Sequence, residues 1–303
     1  MNIKTPYIWK NGKFIKWEDA MDHNLTHSLH YGTGVFEGIR FYPTSAGPKI
    51  FRLKEHIERL FYSASILELK IPFSKEEIIQ AHINLVAKSG VESGYLRPLI
   101  YYGTGKMGMN PEGAKVETVI SAWNWGKYLA DKAIDVKISK YKRIHPETAD
   151  MNAKVSGGYY NNVLVSLEVK KENFDEGLLL DTNGFIAEGP GENIFFIKGN
   201  KMYTPEVGTI LPGITRATII QVVKEKLNIE VIEEKISPER LEDFDETFFV
   251  GTAAEVTLIG SITYNSKKID FISGNKDSLS NKIKDIYFDI VYGRDEEYIK
   301  WLS

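Results

Sequence analysis

The stretch Ile186-Ala-Glu-Gly-Pro-Gly-Glu-Asn-Ile-Phe195 decides how the chain is read. An apolar run ends on a carboxylate, Glu188, and the glycines on both sides of Pro190 let the backbone approach a ligand closely. Upstream, residues 177–188 read as two strands joined by Asn183-Gly184, a strong hairpin signal, and residues 193–197 and 201–203 read as a second pair around Gly199-Asn200. Downstream, Leu211-Pro-Gly-Ile-Thr-Arg216 leads into a helix expected over 215–227. The start of such a helix offers unpaired N–H groups and the positive end of its dipole, which suits a dianionic phosphate.

Further upstream, Lys154 stands in Met151-Asn-Ala-Lys-Val-Ser-Gly-Gly-Tyr-Tyr160 among small neighbours, where most lysines of this chain stand among other charges. Small neighbours can bury an amine, and a desolvated neutral amine attacks carbonyls, as a Schiff-base lysine must. A lysine, an acid able to hold a ring nitrogen protonated, and a phosphate cradle together describe a site for pyridoxal 5'-phosphate.

The remaining pattern is mixed. Ile57, Leu60, Phe61, Ala64 and Leu67 recur at helical spacing within 54–69, and Ser74 with Glu77 makes a capping box for a helix to about Lys88. Residues 95–102 and 116–122 read as strands, residues 134–138 alternate, and 277–291 reads as a helix. The expectation is an α+β fold of two domains: a smaller N-terminal α/β domain over 1–121, a connecting loop over 122–132, and a larger strand-rich domain over 133–303.

Composition narrows the function classes. The chain has 303 residues, is 43% hydrophobic and 26% charged, and so can bury a sizeable core. With 38 Lys and Arg against 41 Asp and Glu, no global positive field gathers phosphate backbones or anionic lipids, so neither nucleic acid nor membrane is an expected partner. No cysteine is present, which removes disulfides, thiolate metal sites and Cys nucleophiles together. No apolar run matches a signal peptide, and an unprocessed cytoplasmic protein is the expectation.

Two other patterns compete. Gly103-Thr-Gly-Lys-Met-Gly108 fits a dinucleotide fingerprint, yet Met109-Asn-Pro-Glu-Gly113 reads as loop where that motif requires a helix. His23, His27 and His30 stand close enough to suggest a metal module, but no acidic residue joins them at coordinating spacing, and Gly32 and Gly34 end any helix at once. No metal is expected.

The whole series of blocks resembles the branched-chain amino acid aminotransferases of the fold-type IV, D-amino acid aminotransferase-like, pyridoxal-phosphate enzymes. The matching text is His30-Tyr-Gly-Thr-Gly-Val-Phe-Glu-Gly-Ile-Arg40, Glu55-His-Ile-Glu-Arg59, Tyr95-Leu-Arg-Pro98, Lys154, Glu188-Gly-Pro-Gly-Glu-Asn193, Leu211-Pro-Gly-Ile-Thr-Arg216 and Gly251-Thr-Ala-Ala-Glu255. The resemblance runs nearly end to end and implies a cofactor at the domain interface. It makes Lys154 the catalytic Schiff-base lysine and Glu188 the partner of the pyridine nitrogen, with Tyr159 on the phenolic oxygen. Arg59 is implied as the phosphate clamp, with Leu211, Gly213, Ile214, Thr215, Gly251 and Thr252 completing the cofactor contacts.

For the substrate, the resemblance implies Tyr95 with the Thr252-Ala253 backbone at the α-carboxylate, and Tyr31, Phe36, Trp125 and Tyr128 as an apolar side-chain pocket; Gly38, Arg40 and Met109 join the same set. Arg97 is implied to receive the distal carboxylate of glutamate. The implied reaction moves the amino group of L-leucine, L-isoleucine or L-valine to 2-oxoglutarate, in a homodimer or higher homo-oligomer, a dimer-based hexamer among the forms implied. A D-amino acid transaminase and an aminodeoxychorismate lyase share the lysine and phosphate blocks, while Phe36-Glu-Gly-Ile-Arg40 and Tyr95-Leu-Arg-Pro98 favour the branched-chain group. One departure is the run Val155-Ser-Gly-Gly-Tyr159, where the family suggests Ala-Gly-Gly-Asn-Tyr.

Overall fold

The computed structural model describes residues 4–126, 129 and 132–303. The chain forms two compact units: one of Met1–Gly126 with Ala153–Tyr159 and Ile290–Ser303, the other of Lys127–Asn152 with Tyr160–Asp289. This differs from the linear division expected from the sequence. The first unit runs past residue 121 and takes in two later segments, one of which carries Lys154.

The first unit begins with strands β1 (Tyr7–Lys10) and β2 (Lys13–Lys16), a short helix α1 (His27–Tyr31), and strands β3 (Gly34–Phe36), β4 (Ile39–Thr44) and β5 (Gly47–Ile50). Helices α2 (Leu53–Ile66) and α3 (Lys75–Ser89) and strands β6 (Gly94–Tyr102) and β7 (Val116–Trp123) complete its first segment. The sheet order is β2-β1-β7-β6-β4-β5, and β3 pairs with β6. Helix α2 buries Ile57, Leu60 and Ala64, three and four residues apart, and α3 buries Ile78, Ala81 and Leu85. These rows join Ile39, Leu96, Ile100 and Ile120 of the sheet in one core. The Ser74–Glu77 box forms in both directions at the start of α3, and Gly90 ends that helix in the left-handed conformation.

The second unit begins with β8 (Ile134–Ile138), and α4 (Tyr159–Lys171) starts on the boundary residue. There follow β9 (Glu176–Leu178), β10 (Asn193–Lys198), β11 (Lys201–Pro205), α5 (Ile214–Leu227), β12 (Val231–Glu234), β13 (Glu246–Gly251), β14 (Glu255–Tyr264), β15 (Lys267–Asp270) and α6 (Leu279–Val291). The order is β12-β11-β10-β13-β14-β8-β9, with β15 on β14. Ile134, Val136, Phe196, Phe249, Ile259 and Ile262 fill its core. Residues 177–188 pair as the expected hairpin: Asp181 N–H donates to the Phe185 carbonyl at 2.7 Å, Ala187 N–H to the Leu179 carbonyl and Leu179 N–H to the Glu188 carbonyl at 2.9 Å, and Leu180 bridges Ile186. Asp181 accepts hydrogen bonds from Asn183 and Phe185 and closes the turn, while on its outer side Ile186 N–H donates to the Ile236 carbonyl; of the two arms only β9 belongs to the larger sheet.

No helix among the described residues is long and apolar enough to cross a membrane. No helix opens after Gly108, so the glycine pattern there serves a loop. The histidines hold that region together: His27 bonds Thr33 Oγ1 at 2.7 Å and the Gly108 carbonyl at 2.6 Å, while His30 bonds the Asn24 carbonyl at 2.9 Å. Among the described residues no group of His, Asp or Glu could hold a metal ion.

Candidate active site

Lys154 sits in a short segment that the first unit grips by its backbone. Val155 bridges Val35 of β3, Phe36 N–H donates to the Lys154 carbonyl at 3.2 Å, and Gly157 N–H donates to the Gly32 carbonyl at 3.0 Å. Gly32 ends α1 with φ +65, and a Cβ there would lie 2.6 Å from the Gly157 Cα, so the close approach of the two backbones requires glycine at 32. The half-buried lysine then extends its amine to the Tyr159 hydroxyl, Nζ to Oη 2.6 Å, with Nζ 5.1 Å from the Phe36 ring centroid.

The expected substrate residues of this unit make one aromatic and cationic row. Phe36 meets Tyr159 edge-on at 4.7 Å, and the Arg97 guanidinium lies 4.8 Å from the Phe36 ring and 5.4 Å from the Tyr95 ring. Among the described residues Arg97 Nε has no hydrogen-bond partner although it is buried. Tyr95 packs against Gly38 through its hydroxyl and against Trp125 edge-on at 4.4 Å. Arg40 donates to the carbonyls of Trp125 and Gly126 at 3.3 and 3.0 Å, and so fixes the start of the loop after β7. Tyr31 is less integrated, its ring lying against His27 at 4.6 Å, and Met109 is 82% exposed on its loop. Tyr128 lies outside the described residues.

Arg59, on α2, is held by a carboxylate that its motif did not reveal. Its Nε donates to Glu37 Oε1 at 2.5 Å and its Nη2 to Oε2 at 2.9 Å, while His56 Nδ1 lies 2.8 Å from Oε2. Glu37 is fully buried. Burial alone would raise its carboxyl, but the charges and hydrogen bonds of Arg59 and His56 outweigh that and hold it well below the usual carboxylate range. Burial likewise lowers His56 in spite of Glu37. A carboxylate only accepts, so the neutral imidazole carries its proton on Nδ1.

In the second unit Glu188 lies beneath the approach to α5. It accepts from Arg143 Nε at 2.6 Å, from Asn193 Nδ2 at 3.1 Å and from Leu211 N–H at 3.2 Å. Asn193 also donates to the Leu211 carbonyl at 3.0 Å, so one amide ties the acid to the helix entry. Gly213 caps α5 with no side-chain hydrogen bond, and a Cβ there would collide with Asn193 Oδ1. Ile214 and Thr215 are therefore the first turn of a helix whose N-cap residue offers no side-chain acceptor to its N–H groups. Thr252, Ala253 and Ala254 form the turn between β13 and β14, closed by the pairing of Gly251 with Glu255.

The structure thus gathers the expected residues into two sets, Lys154, Tyr159, Phe36, Arg97, Tyr95, Trp125, Arg40, Gly38 and Arg59 in the first unit, and Glu188, Leu211, Gly213, Ile214, Thr215, Gly251, Thr252 and Ala253 in the second. Sequence reasoning did not single out Glu37, Ser63, Arg143 or Asn193. Glu37 and Asn193 stand inside the quoted motifs, where a buried-acid reading of Phe-Glu-Gly would have found the first. Arg143 lies in Lys142-Arg-Ile-His145, which carries no local signal.

The geometry has close counterparts among known proteins. The family model of amino-transferase class IV matches residues 34–262. The branched-chain-amino-acid aminotransferase of Pseudomonas aeruginosa is 42% identical over 298 residues, covering 97% of this chain and 95% of that protein. The crystal structure of the Escherichia coli branched-chain amino acid aminotransferase superposes with a TM-score of 0.94 at 40% identity, covering 99% of each chain. That of the branched-chain amino acid aminotransferase from Thermobaculum terrenum, in its PLP form, gives 0.92 at 32% identity, covering 100% of this chain and 99% of the other. With the family model spanning most of its length and relatives matching it nearly end to end, this chain belongs to the class IV amino-transferases, in their branched-chain group.

Proposed function

We infer that the chain is a pyridoxal-phosphate-dependent transaminase that moves the amino group of L-leucine, L-isoleucine or L-valine to 2-oxoglutarate, giving the branched 2-oxo acid and L-glutamate. The observation that carries this is the Lys154 amine, 2.6 Å from the Tyr159 hydroxyl and flanked by the Phe36 ring. The donor chemistry fits the cofactor. The uncapped first turn of α5 suits a phosphate dianion, and Glu188, ringed by donors, suits a protonated ring nitrogen. Bound pyridoxal 5'-phosphate supplies an electron sink for the pair released at the substrate Cα.

Each residue then has its part. Arg59 and the N–H groups of Ile214, Thr215 and Thr252 hold the phosphate, Leu211, Gly213 and Gly251 shape the backbone around it, and Glu188 pairs with the ring nitrogen. Lys154 Nζ takes the proton from the substrate Cα, and the Tyr159 hydroxyl holds that amine in line. Tyr95 and the Thr252–Ala253 backbone take the α-carboxylate, with Phe36, Tyr31 and Trp125 against the aliphatic side chain. Arg97, held between aromatic faces, receives the distal carboxylate of the acidic substrate. That cation beside apolar rings explains how one pocket takes both leucine and glutamate.

The test is the visible absorption of the cofactor-loaded protein with L-leucine and, in parallel, D-alanine. We expect the band to be lost with L-leucine only; loss with D-alanine only would move the reading to a D-amino acid transaminase. Lys154→Ala should abolish turnover and the borohydride-reducible bond to the cofactor, and near-wild-type turnover would refute the role of that lysine. The same reading carries a cytoplasmic location and a homodimer or dimer-based hexamer, the latter measurable by light scattering.

A further inference from the structure

Four hydrogen bonds and one peptide link close a ring through the first unit. Glu37 grips the Arg59 side chain at 2.5 Å. One turn along α2, Ser63 Oγ donates to the Arg59 carbonyl at 2.8 Å and accepts from the Lys154 N–H at 2.9 Å. The Lys154 carbonyl accepts from Phe36 N–H at 3.2 Å, and Phe36 is bonded to Glu37. Ser63 is fully buried. It is the side chain through which the Lys154 N–H reaches α2, and its hydroxyl proton is already committed to the Arg59 carbonyl, so its lone pairs face the lysine backbone.

We propose that Ser63 is a positioning residue, which fixes the Lys154 backbone against the turn of α2 that carries Arg59 and so sets where the Lys154 amine stands for proton transfer. The inference rests on the reading of Lys154 as the proton-moving lysine and goes beyond it. A serine hydroxyl is needed because the position must donate to a helix carbonyl and accept from a foreign N–H at once. Alanine does neither, and the somewhat larger thiol of cysteine accepts only weakly. Helix α2 does not depend on the hydroxyl, since its own ladder stands without it and alanine favours a helix. The cost of losing it therefore falls on the lysine segment. Displacement of a reacting group by about 1 Å can lower a rate by about a hundredfold, while ground-state binding of substrate by other residues is left intact.

The experiment compares Ser63→Ala, Ser63→Cys and Lys154→Ala in the full chain. For both Ser63 variants we expect kcat for leucine to fall by about tenfold or more with KM within about twofold of the wild type. Amide exchange in residues 153–159, measured without cofactor, should quicken in both. If Ser63→Ala fails to fold, Ser63→Cys decides, because it leaves no void where the hydroxyl stood. Wild-type kcat in the folded variants, even at a lower melting temperature, overturns the inference and leaves Ser63 a structural hydroxyl. Turnover retained by Lys154→Ala overturns instead the reading on which it rests.

Discussion

Glu37 shows how one residue can bind a site together. It is fully buried and engages both His56 and Arg59, so Glu37→Gln removes the charge that compensates a half-buried guanidinium. Breaking such a pair from one side costs about 3–5 kcal/mol, and glutamine, which keeps one acceptor, belongs at the low end. The pH dependence has a definite sign. Glu37 is held below its ordinary 4.5, so its stabilisation is present above that pH and is lost as pH falls beneath it toward the lower native value. We expect wild type and Glu37→Gln to differ most in urea unfolding at about pH 7 and the gap to narrow by about 1.4 kcal/mol at about pH 3.5; an unchanged gap would show that the pair contributes nothing by its charge. At this scale the sequence was informative where a side chain acts through its immediate neighbours. Lys154 and Tyr159, both singled out, lie in one short run and meet, Nζ to Oη 2.6 Å. Glu37, Ser63 and Arg143 act across 22, 91 and 45 positions respectively, separations that no local pattern records.

Helix α3 was legible for the opposite reason, because its signals are local. The box at Ser74 and Glu77 forms, Ser74 Oγ accepting from Glu77 N–H at 3.1 Å and Glu77 Oε2 from Ser74 N–H at 2.7 Å, and the apolar row is buried. Helix α4 escaped notice because it lacks a period. It buries Val165 and Val169 yet exposes Tyr160, Val163 and Leu167, and it follows Gly157-Gly158, which reads as loop. Within α3 one residue works against the helix's core. His82 is fully buried, its Nδ1 bonded to the Ile78 carbonyl at 2.7 Å and its Nε2 without a hydrogen-bond partner among the described residues. Burial lowers it from 6.5 to about 4. The unfolded chain therefore takes up a proton below pH 6.5 that the native helix refuses until about pH 4, and native stability drains away across that window. The loss by pH 5 is about 2 kcal/mol. His82→Leu should match or exceed wild type at about pH 7, because it removes an unpaired buried nitrogen, and should lead by about 2 kcal/mol more at pH 5. Unfolding midpoints at the two pH values check this, and a parallel pH decline in both proteins would refute it.

At the scale of the whole chain, the order of residues and the order of packing part company. The division at residues 122–132 follows the change from helix-rich to strand-rich text, but the first unit also takes Ala153–Tyr159 and Ile290–Ser303. The second of these closes on the strand and helix start of residues 50–52. Ile50 and Ser303 exchange both backbone hydrogen bonds at 2.9 Å, Arg52 N–H donates to the Trp301 carbonyl at 2.7 Å, and the Arg52 guanidinium lies 4.4 Å from the Trp301 ring. Trp301 is 8% exposed and also meets Phe51 at 6.2 Å and Tyr298 at 4.5 Å. Removing a ring so placed leaves a cavity and strips the cation of its aromatic face, a loss of about 3–5 kcal/mol. Because Trp301 shares a unit with the Lys154 segment, Trp301→Ala should loosen residues far from it in sequence. We expect hydrogen exchange to quicken over residues 39–66 and 153–159, while β10, β13 and β14 keep their protection. Faster exchange confined to the strands of the second unit would mean that the chain end stabilises the wrong half for this account. Faster exchange at 153–159 with a fall in kcat would instead tie the last residues of the chain to the lysine that performs its chemistry.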